Sequence, residues 1–253
     1  MGMLDGRHVL ITGGGTGIGA AIARALAVEG AALSLAGRRK EPLEAMAKEL
    51  PTATAIVADV TSEEDCAAMA KAAREAHGPI DIVIANAGMA ASAPAGKIDL
   101  QHWQQVIDVN LTGAFLTVSA ALANVTRAPG GRIVFIASTA GLKGYSYVAA
   151  YVAAKHGVVG LMRALSLELA GKGVTVNAVC PGFTDTPLLE AAAGNIAAKT
   201  GRSAEQSRAE LAKDNAHGRL VTPEEVAQSV LFLCSPGASS INGQAIAVTG
   251  GPL

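Results

Sequence analysis

The chain is poor in aromatic residues, charged residues and cysteine. Only 3% of its 253 residues are aromatic and 16% are charged, whereas 50% are hydrophobic, so a large core must be built from small aliphatic side chains. The isolated cysteines Cys66, Cys180 and Cys234 form neither a C-x-x-C pair nor a disulfide framework, which is typical of a reducing cytosol. The balance of 20 basic against 21 acidic residues argues against nucleic acid or an anionic membrane as a partner.

Targeting, membrane and metal signals are also missing from the sequence. The first residues show no basic segment followed by an apolar one, so no signal peptide is predicted. No uninterrupted apolar run reaches the roughly 18–20 residues that span a bilayer. The histidines show no metal-ligand spacing, so no catalytic metal is predicted. Together these features predict a cytoplasmic protein without a membrane partner.

Short apolar segments alternate with longer amphipathic segments through almost the whole chain. The segments predicted as strands are 8–12, 32–36, 55–58, 80–85, 132–137, 174–179 and 245–248. Helices are predicted at 18–29, 100–125 and 148–169, and capping boxes predict further helix starts at Thr61, Ser203 and Thr222. The alternation predicts an α/β fold, a single-domain Rossmann fold over residues 1–253 with a doubly wound, mainly parallel seven-stranded sheet.

Residues 184–218 interrupt this alternation, because no strand is predicted there. The segment follows a proline–glycine turn at the carboxyl end of a strand, where ligands bind in open α/β sheets. It is therefore predicted to be a helical lid over a substrate site. The alternative is an ordinary helical excursion on the surface.

A glycine-rich turn joins the first strand to the first helix and predicts a dinucleotide site. Glycines let the backbone approach a pyrophosphate, and a helix N-terminus attracts its negative charge. The residues of the turn that are predicted to contact the cofactor are Gly13, Gly15, Thr16, Gly17, Ile18 and Gly19. A tight turn without a ligand is the alternative interpretation.

Two later strands end in polar segments that would reach the same edge of the sheet. Those segments are Asp59-Val60 and Asn86-Ala87-Gly88. Asp59 would accept a hydrogen bond from an adenine amino group or, alternatively, cap a helix. Arg38 follows the second strand, where an arginine accommodates a 2′-phosphate and a carboxylate would bind the 2′-hydroxyl. NADP(H) is therefore the preferred cofactor, with NAD(H) as the alternative.

Tyr151 and Lys155 are one helical turn apart, so their side chains share a face of the predicted helix. A nearby ammonium lowers the pKa of a phenol, and a pKa nearer the working pH makes a better acid or base. Such a pair is common on solvated helices. Its position after the glycine turn, and after a strand that ends in Ser138, favours a catalytic role. Tyr145 and Tyr147 lack a lysine four residues on and are expected to line the approach.

In order and spacing, these motifs resemble the short-chain dehydrogenases/reductases over nearly the whole chain. The matching motifs are Thr12-Gly13-x-x-x-Gly17-x-Gly19, Asn86-Ala87-Gly88, Asn110 within Val109–Gly113, Ser138, Tyr151-x-x-x-Lys155 and Pro181–Pro187. Within the family the chain is most similar to bacterial 3-oxoacyl-thioester and polyketide ketoreductases and to 3-hydroxyacid or 3-hydroxyacyl-CoA dehydrogenases. Thr16 departs from the pattern, because many NADP-using relatives carry a basic residue there, which leaves most of the cofactor selection to Arg38.

The resemblance implies a role for each matching residue in an NAD(P)-dependent oxidoreductase. Tyr151 would be the general acid and base, and Lys155 would lower its pKa and hold the nicotinamide ribose. Ser138 would bind the substrate oxygen, and Asn110 would hold a relay water. The residues implied at the nicotinamide end of the cofactor are Pro181, Gly182, Thr184 and Thr186.

The substrate, the alternative functions and the oligomeric state remain to be considered. The substrate is predicted to be a small ketone or secondary alcohol, with 3-oxoacyl and 3-hydroxyacyl compounds as candidates. An inactive nucleotide-binding regulator on the same scaffold is the main alternative function, and a sugar-nucleotide epimerase or dehydratase is a third. The resemblance also implies a homotetramer in which helices 100–125 and 148–169 pack against a partner.

Overall fold

A parallel β-sheet forms the centre of the molecule. The computed structural model describes residues 2–253, and in that range the strands are β1 His8–Thr12, β2 Ala32–Gly37, β3 Ala53–Val57, β4 Ile82–Ala85, β5 Arg132–Ile136, β6 Thr175–Pro181 and β7 Ala245–Val248. The strand order is β3-β2-β1-β4-β5-β6-β7, and all neighbouring strands run parallel. The predicted fold class, a single doubly wound α/β domain, is confirmed.

Helices cover both faces of the sheet. They are α1 Gly17–Val28, α2 Lys40–Glu49, α3 Glu63–His77, α4 Leu100–Ile107, α5 Gly113–Val125, α6 Ala149–Leu169, α7 Pro187–Thr200, α8 Ala204–Ala212 and α9 Pro223–Cys234. Side chains of α1, α2 and α9 form one core layer, and those of α3, α5 and α6 form the other. Because both faces are covered, β1, β4, β5 and β6 are buried along their whole length and have nearly continuous apolar sequences.

The sheet reverses its winding at β1, and this reversal places the site. β1 pairs with β2 on one side and with β4 on the other. The helices that follow β1 and β4, α1 and α5, lie on opposite faces of the sheet. A crevice opens at the carboxyl ends of two strands whose connections leave in opposite directions, and ligands of open α/β sheets bind there.

The structure corrects some of the predicted boundaries. Helix α2 was not predicted, because its few apolar positions, such as Leu43 and Met46, follow a run of cations that resembles a solvated turn. Helix α3 is capped by Ser62 rather than Thr61, and the Ser62 hydroxyl accepts from the Asp65 N–H at 3.1 Å. The predicted capping boxes at Ser203 and Thr222 are confirmed.

The predicted helix 100–125 is two helices joined by a π-helical turn, Asp108–Thr112. Among residues 2–253, the stretch Leu100–Val125 is long and apolar enough to cross a membrane by length and composition, since an 18-residue window within it has a mean hydropathy of 1.6. The expectation concerned uninterrupted apolar runs, whereas polar residues such as Gln104 and Asp108 interrupt this stretch, which passes by its average hydropathy alone. In this fold the pair packs against α3, α6 and the sheet, and Asn110 and Thr117 are buried within it.

The segment 184–218 contains α7 and α8, which pack against each other. Arg208 on α8 ties them to the start of the segment through ion pairs with Asp185, at 2.5 Å, and with Glu190. An isolated parallel bridge between Thr184 and Val221 closes the base of the segment. Its proposed action as a lid stays a prediction.

Candidate active site

The glycine turn adopts a backbone that side chains larger than hydrogen would disturb. Gly17 has φ +55°, a left-handed conformation that favours glycine. A Cβ at Gly19 would lie 2.2 Å from the carbonyl oxygen of Gly13 and 2.6 Å from Nδ2 of Asn86. The turn therefore packs closely on the end of β4. The backbone N–H groups of the first residues of α1 face the crevice, and no bulky side chain covers them.

A cleft of about 430 Å³ opens above this turn. The predicted cofactor residues that line it are Gly13, Gly15, Thr16, Gly17, Ile18, Gly19, Arg38, Asp59, Val60, Asn86, Ala87, Gly88 and Thr186. Residues that were not predicted to bind the cofactor also line it, among them Arg39 and Pro42. Five predicted cofactor residues lie outside this lining: Tyr151 and Lys155 on α6, and Pro181, Gly182 and Thr184 at the end of β6 and just beyond it.

The ends of β1 and β4 are joined by side-chain hydrogen bonds beneath the cleft. The Thr12 hydroxyl accepts from the backbone N–H groups of Asn86 and Ala87 at 3.1 and 3.2 Å. In return, Nδ2 of Asn86 donates to the carbonyl oxygens of Thr12 and Gly13 at 2.8 and 3.2 Å. The Asn86-Ala87-Gly88 segment is thus fixed against the glycine turn.

The end of the cleft beside β2 and β3 contains two arginines and one carboxylate. Asp59 accepts from both the backbone N–H and the hydroxyl of Thr61, and the backbone hydrogen bond is the largest cause of its lowered pKa. Arg38 lies 3.8 Å from the second oxygen of Asp59. Arg39 donates to the hydroxyl of Thr16 at 3.0 Å. The Arg39 guanidinium therefore reaches the glycine turn at Thr16, the position at which the sequence has no basic residue. Only the structure reveals this contact, because it depends on how β2 and α2 are placed relative to the turn.

Lys155 and Asn110 meet beside Gly88, which lines the other end of the cleft. Lys155 is only 4% exposed, and its Nζ donates to the carbonyl oxygen of Ile136 at 2.8 Å. A Cβ built on Gly88 would lie 3.0 Å from Oδ1 of Asn110 and 3.8 Å from Nζ of Lys155. Nζ also lies 5.6 Å from the centroid of the Tyr151 ring. The fold therefore brings these predicted catalytic residues together from α6, the π-helical turn and the end of β4.

The π-helical turn aims the Asn110 side chain into the protein, as π-turns at functional sites often do. Its Nδ2 donates to the carbonyl oxygens of Met89 and Val106, both at 2.9 Å. Its Oδ1 accepts from the Met89 N–H at 3.2 Å. Both amide protons are thus used to hold neighbouring backbone, so a relay water would have to bond to the remaining lone pair of Oδ1 or to main-chain atoms.

Burial shifts the pKa values of Tyr151 and Lys155 in opposite directions. It raises the pKa of the half-buried Tyr151 phenol to about 12, and a hydrogen bond with Ser138 acts in the opposite direction. It lowers the pKa of the Lys155 ammonium to about 8. Burial is the largest cause of the Tyr151 shift, and the lowering of its pKa by Lys155 stays a prediction.

Two aromatic rings, those of Tyr145 and Phe183, pack together beside the residue that follows Ser138. The hydroxyl of Tyr145 donates to Oγ1 of Thr139 at 2.8 Å, and its ring stands at 90° to that of Phe183, with centroids 5.8 Å apart. Tyr147 is 68% exposed and has φ +68°, a strained conformation for this residue type. The prediction that these two tyrosines border the site rather than act as its acid is consistent with these positions.

Residues 7–196 match the protein family described as short chain dehydrogenase. The chain is 36% identical over 256 residues to D-beta-hydroxybutyrate dehydrogenase of Cupriavidus necator, covering 98% of each chain. It is 38% identical over 250 residues to cis-4-hydroxycyclohexanecarboxylate dehydrogenase of Sinomonas cyclohexanicum, covering 97% of this chain and 96% of that one. A solved structure of an actinorhodin polyketide ketoreductase variant with NADPH is 37% identical and superimposes with a TM-score of 0.94, covering 99% of this chain and 98% of the other.

Proposed function

This chain belongs to the short-chain dehydrogenase/reductase family and is an oxidoreductase of CH–OH groups, and we propose that it uses Tyr151 as general acid and base on a ketone or secondary alcohol. A bound nicotinamide cofactor supplies or accepts the hydride. The observation that carries the proposal is that Lys155 and Asn110 converge beside Gly88, which lines the nucleotide cleft, while Nζ of Lys155 lies 5.6 Å from the centroid of the Tyr151 ring.

Tyr151 is suited to donate a proton in the reducing direction. Burial raises its pKa, so the phenol is protonated at neutral pH and presents an O–H donor to a carbonyl oxygen. Ser138 lies two residues beyond the end of β5, is hydrogen-bonded to this phenol and offers a second hydroxyl for the same oxygen as charge develops on it. The alternative of an inactive nucleotide-binding regulator loses support, because a nucleotide sensor has no need of these two hydroxyl groups.

The residues present fit a nicotinamide cofactor. Lys155 has three donor protons and spends one of them on Ile136, which leaves donors for the hydroxyls of a ribose. Gly88 leaves open the space between Asn110 and Lys155 that a Cβ would occupy. The cleft continues from there to the glycine turn and to Arg38 and is of a suitable size for a ligand site.

NADP(H) is the cofactor we propose, with NAD(H) as the alternative. Arg38 and Arg39 lie on the adenosine side of the cleft, and two guanidinium groups suit a 2′-phosphate. Arg39, bonded to Thr16, takes the place of the missing basic residue in the glycine turn. The bound NADPH of the ketoreductase structure supports the same choice.

A 3-oxoacyl or 3-hydroxyacyl compound is the proposed substrate class, as the names of the ketoreductase and hydroxybutyrate dehydrogenase relatives suggest. Phe183 and Leu188 offer apolar surface beside the cleft, and Leu188 is 43% exposed. Leu189, the next residue, is buried inside the segment. Residues 184–218 are proposed to act as the lid over this substrate.

We further propose a cytoplasmic homotetramer. Large apolar side chains remain exposed on the helices predicted to meet a partner: Leu100 and Trp103 on α4, Phe115 on α5 and Leu167 on α6. Exposed apolar surface on adjoining helices is typical of a protein interface. Light scattering tests this directly, and a monomer at micromolar concentration would refute it.

Turnover by Tyr151→Phe tests the mechanism. The substitution removes only the hydroxyl, so kcat should fall by about 10²-fold or more, the usual contribution of general acid–base catalysis. The Kd for NADPH should stay within about twofold of wild type, since the ring remains. Wild-type turnover in this variant would eliminate Tyr151 as the acid.

The cofactor proposal is tested by kcat/KM with NADPH and NADH in wild type, Arg38→Asp and Arg39→Asp. Wild type should prefer NADPH, and each aspartate should weaken that preference, because it replaces a cation by a carboxylate that suits a 2′-hydroxyl. Lys40→Asp, which changes the charge by the same amount on the neighbouring residue outside the cleft lining, is the control. A wild-type preference for NADH would overturn the assignment.

A further inference from the structure

Asn215, a buried asparagine just beyond α8, connects the end of the lid segment to the turn that follows β6. It is only 2% exposed. Its Oδ1 accepts from the Phe183 N–H at 3.0 Å, and its Nδ2 donates to the carbonyl oxygens of Phe183 and Arg219 at 2.8 and 2.7 Å. The amide thus pairs with both backbone groups of Phe183 as a neighbouring strand would, and it spends both donor protons in doing so.

The turn held by Asn215 leads from the neighbourhood of Ser138 to the glycine turn, and Thr186 at its far end lines the cleft. At one end, the Phe183 ring packs on Tyr145, which is bonded to the residue after Ser138. At the other end, Thr186 lies 3.4 Å from the position of a Cβ on Gly17. Residues 182–186 therefore connect the surroundings of Ser138 to the glycine turn.

Contact between Asn215 and this turn is close enough to define the turn's position. A Cβ on Gly182 would lie 2.1 Å from Oδ1 of Asn215, so the amide occupies the space that any other residue at 182 would need. Gly182 itself is tied to β7, since its N–H donates to the carbonyl oxygen of Val248 at 3.0 Å. The turn is thus clamped between β7 on one side and a single side chain on the other.

We propose that Asn215 is a positioning residue that presses the Gly182–Phe183 turn toward the reacting end of the cofactor. It touches neither cofactor nor substrate and acts through the turn. The inference rests on the proposed function, because it assumes that a nicotinamide occupies the cleft beside Tyr151. It assigns to Asn215 a contribution to nicotinamide binding and to kcat, and none to binding of the adenosine half.

The test compares ligands that differ only in the nicotinamide. Kd is measured for NADPH and for 2′-phospho-ADP-ribose, or for NADH and ADP-ribose if wild type prefers NADH, together with kcat and KM. In Asn215→Ala the dinucleotide Kd should rise and kcat should fall, each by about tenfold. The Kd for the fragment without nicotinamide should stay within about twofold of wild type.

Asn177→Ala is the matched control. Asn177 is 1% exposed and braces backbone in the same way, donating to the carbonyl oxygen of Ile241 at 2.7 Å and accepting from the Gln244 N–H at 3.0 Å. It lies within β6, away from the cleft, so its loss should lower the free energy of unfolding without changing the binding of either ligand.

Asn215→Asp is the second variant and decides the question if the alanine variant does not fold. It keeps the size and the acceptor for the Phe183 N–H, but its carboxylate faces two carbonyl oxygens without protons to donate. It should show the same selective loss of nicotinamide binding. An equal loss of affinity for both ligands, or the same pattern in Asn177→Ala, would reduce Asn215 to a structural residue. Absence of NADPH and NADH binding in wild type would overturn the proposed function and this inference together.

Discussion

Replacing Thr12 by valine should destabilise the protein through a backbone effect rather than through packing. Valine has nearly the same shape and suits a buried strand, so β1 itself should tolerate it. The lost hydroxyl, however, is the acceptor for the N–H groups of Asn86 and Ala87 at 3.1 and 3.2 Å. Both N–H groups would lose their protein partner in a partly buried setting.

The expected magnitude follows from those two hydrogen bonds. A buried donor left without an acceptor costs about 1–3 kcal/mol. Asn86 and Ala87 are only partly buried, so the lower end of that range applies, and the free energy of unfolding should fall by about 2–3 kcal/mol. Thr12→Ser keeps the hydroxyl and should recover most of the loss. NADPH should also bind more weakly to Thr12→Val, because the same segment lines the cleft.

Thr117→Val provides the control, since Thr117 is as buried as Thr12 but its hydroxyl only donates to the carbonyl oxygen of Gly113, one turn earlier in α5. That substitution should cost no more than about 1 kcal/mol, because it leaves no N–H group without an acceptor. Urea unfolding followed by circular dichroism, at one protein concentration for all variants, measures the difference. A Thr12→Val variant no less stable than Thr117→Val would refute the reasoning.

Three other perturbations test further features. Burial lowers the pKa of Lys155 from 10.5 to about 8, so between these pH values the unfolded chain binds more protons than the folded one. Lys155 therefore makes the free energy of unfolding rise with pH in this range. The rise should be absent in Lys155→Met, and equal pH profiles for the variant and wild type would contradict this. Burial lowers the pKa of His8, so protonation favours the unfolded chain as pH falls below 6.5, and His8→Gln should lose less stability than wild type between pH 6.5 and 5. Arg208→Met removes the exposed ion pairs to Asp185 and Glu190, so amide hydrogen exchange should become faster in α7 and α8 with little change in global stability. Unchanged exchange would show that these ion pairs do not hold the two helices in place.

Local sequence patterns predicted the sheet well and its connections less completely. The strand segments were recognisable because strands covered on both faces are continuously apolar. Helix α2 escaped prediction, because it buries little beyond Leu43 and Met46 and begins in a run of cations. The π-helical turn at Asp108–Thr112 also escaped, because its apolar residues continue the helical pattern on either side and only the hydrogen bonds reveal the shift.

The candidate site divides in the same way. Tyr151, Lys155 and the glycine turn were identified from residue type and short spacing, which act within one helix or one turn. Arg39 at Thr16 and Asn215 at Phe183 were not, because their partners lie 23 and 32 positions away in the chain. The pKa values of the catalytic pair also depended on the structure, since burial rather than spacing dominates them.

The sequence by itself determined the fold class, the family and the chemical groups available for proton transfer, because periodicity and motif spacing are local properties of the chain. The tertiary structure decided which of those groups meet. It placed Lys155 beside Gly88 and Asn110, brought Arg39 to the glycine turn and packed Asn215 against the turn after β6. These contacts join residues from different strands and helices, so they follow from the order in which β1, β4, β5 and β6 lie side by side.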